Sequence, residues 1–188
     1  MPLLVFTILA VPVFLALAVW FAKTNQSAGY LNVFGHLIVW LLSAILLYQI
    51  SVCKMTWPHA GFFYVDALSA FFIFTVAFVT FAASLYSVGY IRNDVEKKII
   101  SERKSKLYYV LFNLFSVSML LVMVVNNLAI LWVAIEMTTL ISAFLVGFYN
   151  TKPSVEAAWK YLIICSVGII LALLGTILFS YALSFYGG

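Results

Sequence analysis

Charge is what this 188-residue sequence has least of: Asp, Glu, Lys and Arg supply 9% of it, where a soluble domain carries about a quarter. Hydrophobic residues make up 66% and the mean hydropathy is +1.15, so the composition excludes an ordinary soluble fold and points to an integral membrane protein. Cysteine is nearly absent as well. Cys53 falls in a loop and Cys165 inside an apolar run, with no CxxC spacing and no clustered histidines, which excludes a disulfide framework, a zinc site and an iron–sulfur site. The first residues, MPLLVFTILAVPVFLALAVW, lack a positively charged leader, so they are expected to be a retained helix rather than a cleaved signal. There is no internal repeat and no stretch with the composition of a soluble domain.

What is present is a series of six apolar runs, each long enough to cross about 30 Å of hydrocarbon at 1.5 Å per residue. They cover residues 3–22, 30–50, 62–90, 107–125, 128–149 and 155–181. The expected fold is therefore all-α, a single membrane domain over 1–188 with six transmembrane helices, and with residues 91–106 as a charged loop. Pro12 is expected to kink the first helix, Asp66 to cap the third, and Pro153 to stand at the start of the sixth. His36 and Gln49 read as packed or interfacial side chains. Asn113, Ser116 and Ser118 read as small polar groups that bond to neighbouring helices.

Six of the ten basic residues lie between Arg92 and Lys106. Lys23 and Lys152 join them on one side of a six-crossing topology, and only Lys54 falls on the other. By the positive-inside rule the 91–106 loop should face the cytoplasm, with both termini outside. Aromatic residues, 18% of the chain, gather near segment ends as interfacial anchors do. None interleaves with the basic cluster before Tyr108, so nucleic acid is not the expected partner; membrane lipid is.

The residues that carry chemistry lie in the stretch NLAILWVAIEMTTLISAFLVGFYNTKPSVEAAWK, Asn127 to Lys160. Glu136 stands near the middle of the fifth apolar run. A carboxylate at that depth costs at least a few kcal/mol and usually faces a partner or an ion path. Lys160 lies just inside the next run, with Glu156 one turn before it at the favourable i, i+4 spacing. Lys160 therefore reads either as an interfacial lysine satisfied by Glu156 or as a charge coupled through water to Glu136. A low dielectric favours the neutral form of a carboxyl and a nearby cation favours the charged form, so displacing such a cation would switch proton affinity. The alternative for Glu136 is a protonated carboxyl that only locks helices together.

Three stretches, VDALSAFF at Val65 to Phe72, SLYSVGYI at Ser84 to Ile91 and LWVAIEMTTLISAFLVGFY at Leu131 to Tyr149, resemble a known family. It is that of the antiporter-like membrane subunits of respiratory complex I, Mrp-type sodium/proton antiporters and energy-converting membrane-bound hydrogenases. The continuation SVEAAWKYLIICSVGIILALLGTILF is similar to that family's following helix, and the combination looks closest to the hydrogenase-4 and formate-hydrogenlyase branch. The resemblance runs from Asp66 to about Phe179 and implies the amino-terminal portion of an antiporter-like fold. It implies that Glu136 belongs to a proton path and that Lys160 opens the sixth helix beside it. It also implies partners, the other membrane and peripheral subunits of a multi-subunit redox complex. Iron–sulfur clusters and a nickel–iron or quinone site are expected in those partners, with no cofactor or metal bound by this chain.

The family's pattern continues well past six helices, into two inverted five-helix repeats and a key lysine on the seventh helix, which has no counterpart here. That departure leaves three expectations: a fragment, half of a split antiporter, or a degenerate subunit. The leading functional expectation is a proton- or cation-translocating subunit of a hydrogenase-type or complex I-type oxidoreductase. The alternatives are a non-pumping structural subunit and, from another class, a stand-alone transporter that pairs with a second copy.

Overall fold

A computed structural model describes residues 2–22, 24–52 and 62–186. It contains six helices: α1 (Pro2–Phe21), α2 (Asn25–Ser51), α3 (Ala67–Glu96), α4 (Glu102–Val124), α5 (Leu128–Val146) and α6 (Lys152–Tyr186). All six are long and apolar enough to cross a bilayer, and among the described residues no strand forms. The chain is an all-α, multi-pass membrane fold. Lys23 and the loop holding Cys53, Lys54, Trp57, Pro58 and His59 lie outside the described residues, as does Gly188.

The helix starts follow from capping chemistry. A helix leaves its first N–H groups without intrahelical partners, and in hydrocarbon such groups are costly. Thr24 caps α2 in a reciprocal pair with Ser27. Asp66 Oδ1 accepts the Ser69 N–H of α3 at 2.7 Å, as expected of that residue, and Ser101 caps α4. Asn127 Oδ1 accepts two N–H groups, from Ala129 and Ile130. At α6, Thr151 and Ser154 exchange hydrogen bonds, and Pro153 sits in the first turn, where its missing N–H is harmless.

Several boundaries differ from the apolar runs. The segment 91–106 is not a loop: α3 continues to Glu96, α4 begins at Glu102, and only 97–101 turns. Arg92 and Glu96 pair at i, i+4 across 3.4 Å, while Ile91, Asp94 and Ile100 are buried. These charged turns are amphipathic helix ends packed on the bundle. Lys98, with φ of 58°, makes the left-handed exit from α3. α2 starts at Asn25 rather than at residue 30, because the polar cap and its first turn read as loop. Conversely, α3 starts at Ala67 rather than at residue 62. Residues before it run extended, and Phe63 forms an antiparallel bridge with Val125. Tyr64 N–H bonds to Val124 O and Asn126 N–H to Phe62 O, which ties the start of α3 to the end of α4. α5 stops at Val146, and Asn150, with φ of 54°, turns the chain into α6.

The core has two apolar ends and a polar middle. One end is built on Val5, Ile8, Val39, Leu46, Ile73 and Leu120. The other is built on Val19, Ala28, Ile91, Ile100, Tyr109 and Phe148. Between them, in chain order along α2, α3 and α4, lie buried Asn32, His36, Ser84, Asn113 and Ser116. α1 closes on α2 where Gly35 admits Leu15: a Cβ on Gly35 would stand 2.0 Å from Leu15 Cδ1. α6 packs on α5 alone among the six helices, so its apolar side chains, such as Ile164 and Phe179, remain exposed.

Candidate functional site: an intramembrane glutamate between α5 and α6

Glu136 is the ninth residue of the 19-residue α5, about 12 Å along the helix from its first residue. Its side chain is half-buried and turned towards α6. Oε1 accepts a hydrogen bond of 3.0 Å from Ser166 Oγ. Oε2 is buried and meets no donor. One turn earlier on α5, the indole N–H of Trp132 is also buried without an acceptor. The carboxyl therefore has one oxygen satisfied by a hydroxyl and one held in reserve, in a setting where an unpaired polar atom costs about 1–3 kcal/mol.

The hydroxyls that follow Glu136 do not serve it. Thr138, Thr139 and Ser142 each bond back to a carbonyl four residues earlier on α5. That pattern satisfies the side chains within their own helix. Ser166 was not legible as a partner, because α6 is apolar on every side and its periodicity selects no face. Its only signal was a small hydroxyl in the run that follows Lys160.

Lys160 is exposed and bonded to Glu156, with Nζ to Oε1 at 2.5 Å. The structure does not bring Lys160 into contact with Glu136. It lies six residues before Ser166, about 9 Å along α6.

A second polar constellation occupies the middle of the bundle. Asn113 of α4 donates to Asn32 Oδ1 of α2 at 2.7 Å and to Tyr109 O at 2.8 Å. His36, fully buried, packs edge-on against Phe112 with ring centroids 5.1 Å apart. It behaves as a packed side chain. At the far end of α5, Tyr149 donates to Asp94 Oδ2 of α3 at 2.6 Å and lies 2.7 Å from the Tyr90 hydroxyl. Partial burial, and after it the Asp94 carboxylate, push the Tyr149 phenol above its ordinary range. Among the described residues no group of three or more His, Cys, Asp and Glu side chains could hold a metal ion.

Residues 61–98 match the profile of NADH-ubiquinone oxidoreductase (complex I), chain 5 N-terminus. The chain is 36% identical over 157 residues to a hydrogenase-4 component F homolog of Methylacidiphilum infernorum. It is 34% identical over 111 residues to NADH-quinone oxidoreductase subunit L of Mycobacterium tuberculosis. It is also 33% identical over 154 residues to Na(+)/H(+) antiporter subunit A1 of Staphylococcus haemolyticus. This chain is similar to the amino-terminal part of the antiporter-like membrane subunits. The matches take in 84%, 56% and 78% of this chain but 32%, 16% and 18% of those relatives. The chain thus spans about a third or less of the antiporter-like proteins it matches.

Proposed function

We propose that this chain is part of an ion-translocating, antiporter-like membrane subunit of an oxidoreductase complex, with Glu136 as its protonatable group. The observation that carries the reading is the Glu136 carboxyl at the middle of α5, bonded through one oxygen to Ser166 and unpartnered at the other. Among the described residues no cation pairs with this carboxyl and one hydroxyl donates to it, and carboxyls at such a depth commonly mark ion pathways. Relatives that carry the names of complex I, hydrogenase-4 and Na(+)/H(+) antiporter subunits support the assignment. Lys160 is proposed as a neighbouring charge whose release from Glu156 would alter the field along α6. Redox chemistry belongs to partner subunits in this reading; the chain itself supplies the proton-holding site. The site lies in the cell membrane, with the turn at 97–101 on the cytoplasmic side.

A structural, non-pumping role is the competing reading, favoured by one fact: Lys160 is paired with Glu156 and not with Glu136. Isolation of the assembly through this chain in mild detergent, followed by mass spectrometry, tests the reading. Co-purification of redox subunits supports it. A chain that runs alone or as a homodimer contradicts it.

A further inference from the structure

The basic residues near the 97–101 turn are unevenly used. Arg92 is paired with Glu96, but among the described residues Arg103 and Lys106 make no ion pair or hydrogen bond through their side chains. These two lie three residues apart on the first turns of α4, which places them on one face of the helix. They line a surface cavity of about 400 Å³ together with Glu102 and with Trp20 from the last turn of α1. Trp20 is half exposed, and Lys106 is partly buried. The cavity lies at the end of α1 and the start of α4, two helices long and apolar enough to cross a bilayer.

We infer that this cavity between the end of α1 and the start of α4 binds a single glycerophospholipid headgroup, of the kind that carries hydrogen-bond donors beyond its phosphate. Arg103 and Lys106 would take the phosphodiester, as basic pockets between transmembrane helices do. Trp20 supplies the amphipathic ring suited to the interface. Glu102 decides the headgroup. A carboxylate beside two cations leaves the lining with one net positive charge, matched to one phosphodiester. It also offers an acceptor to headgroup hydroxyls, which phosphatidylglycerol has and phosphatidylcholine lacks. The remaining basic residues of the stretch, Lys97, Lys98 and Lys104, do not line this cavity; Lys98 and Lys104 face a separate one that has no tryptophan.

The test is native mass spectrometry of the assembly isolated through this chain, titrated with phosphatidylglycerol and, separately, with phosphatidylcholine. One phosphatidylglycerol should bind, and phosphatidylcholine should bind at least about tenfold more weakly. In Arg103→Gln/Lys106→Gln the phosphatidylglycerol affinity should fall about 30-fold. Lys97→Gln/Lys104→Gln removes the same charge from the same stretch and should leave the affinity near that of the unsubstituted chain. Inorganic phosphate at equal concentration should not displace the lipid. Equal loss in both double variants, no loss in either, equal retention of both lipids, or displacement by phosphate would overturn the inference.

Discussion

Ser166 on α6 donates a 3.0 Å hydrogen bond to Oε1 of Glu136 on α5, across thirty residues of sequence. It is the polar contact that joins α6 to the rest of the bundle at mid-height, and it orients the one carboxylate found near the middle of a membrane span. Its partner oxygen, Oε2, stays bare, so any change at Ser166 acts directly on how Glu136 is held.

Ser166→Ala removes that donor and leaves both carboxyl oxygens without a partner. We expect a loss of about 1–3 kcal/mol, read as a lower thermal midpoint of the purified assembly in detergent. Ser166→Thr keeps the hydroxyl and should remain close to the unsubstituted protein.

Asn32 and Asn113 bridge α2 and α4 in the buried polar layer. Asn113→Leu strands Asn32 Oδ1 in an apolar setting and should cost about 1–3 kcal/mol. Asn32→Leu/Asn113→Leu removes both partners and should recover much of that loss. A double-mutant cycle measures the coupling; additive losses would show that the two amides do not act as a pair.

Gly35→Ala places a methyl group against Leu15, where the gap is 2.0 Å. Overpacking of this kind costs about 1–3 kcal/mol. The loss should be relieved when Leu15→Ala is added, because the obstructing atoms are that side chain.

Two ionisable groups at helix ends give opposite pH dependences. The Asp66 carboxyl is held below its ordinary value of 3.8, chiefly by the Ser69 N–H. Its cap is therefore fully present above about pH 4 and is lost as pH falls through the lowered value. Tyr149 is raised, so its bond to Asp94 is intact below about pH 10 and is lost as pH climbs past the raised value. Asp66→Ala should cost about 0.5–2 kcal/mol at neutral pH and should remove the acid-limb dependence from the unfolding curve. Tyr149→Phe should cost about 1.5–3 kcal/mol and flatten the alkaline limb.

The number of helices could be read from the apolar runs, because a run of about 20 residues has the length of a spanning helix and satisfies its own backbone in hydrocarbon. Their ends could not. Thr24, Asn25 and Ser27 look like loop and act as a cap, and Arg92 to Glu96 look like a charged loop and are the last turn of α3. Polarity marks where a helix leaves the bilayer, not where it stops. Glu136 stood out because a lone carboxylate in such a run is costly. Asn113, expected to bond a neighbouring helix, does so, whereas Ser118 bonds within α4. That Asn32 is the partner of Asn113, and Ser166 that of Glu136, depends on which faces of α2, α4, α5 and α6 meet, which helices so largely apolar do not reveal. The pairing of Lys160 with Glu156 was legible from spacing alone, being local to one helix.

In the proposed function Glu136 holds the transported proton. The most direct test is redox-driven acidification of inverted membrane vesicles that carry the whole assembly, with Glu136→Gln compared against the unsubstituted chain at equal expression and equal electron-transfer rate. Acidification should be lost in Glu136→Gln, or fall at least about tenfold, while Ser166→Ala retains part of it. Full acidification in Glu136→Gln would contradict it and leave this carboxyl a structural link between α5 and α6.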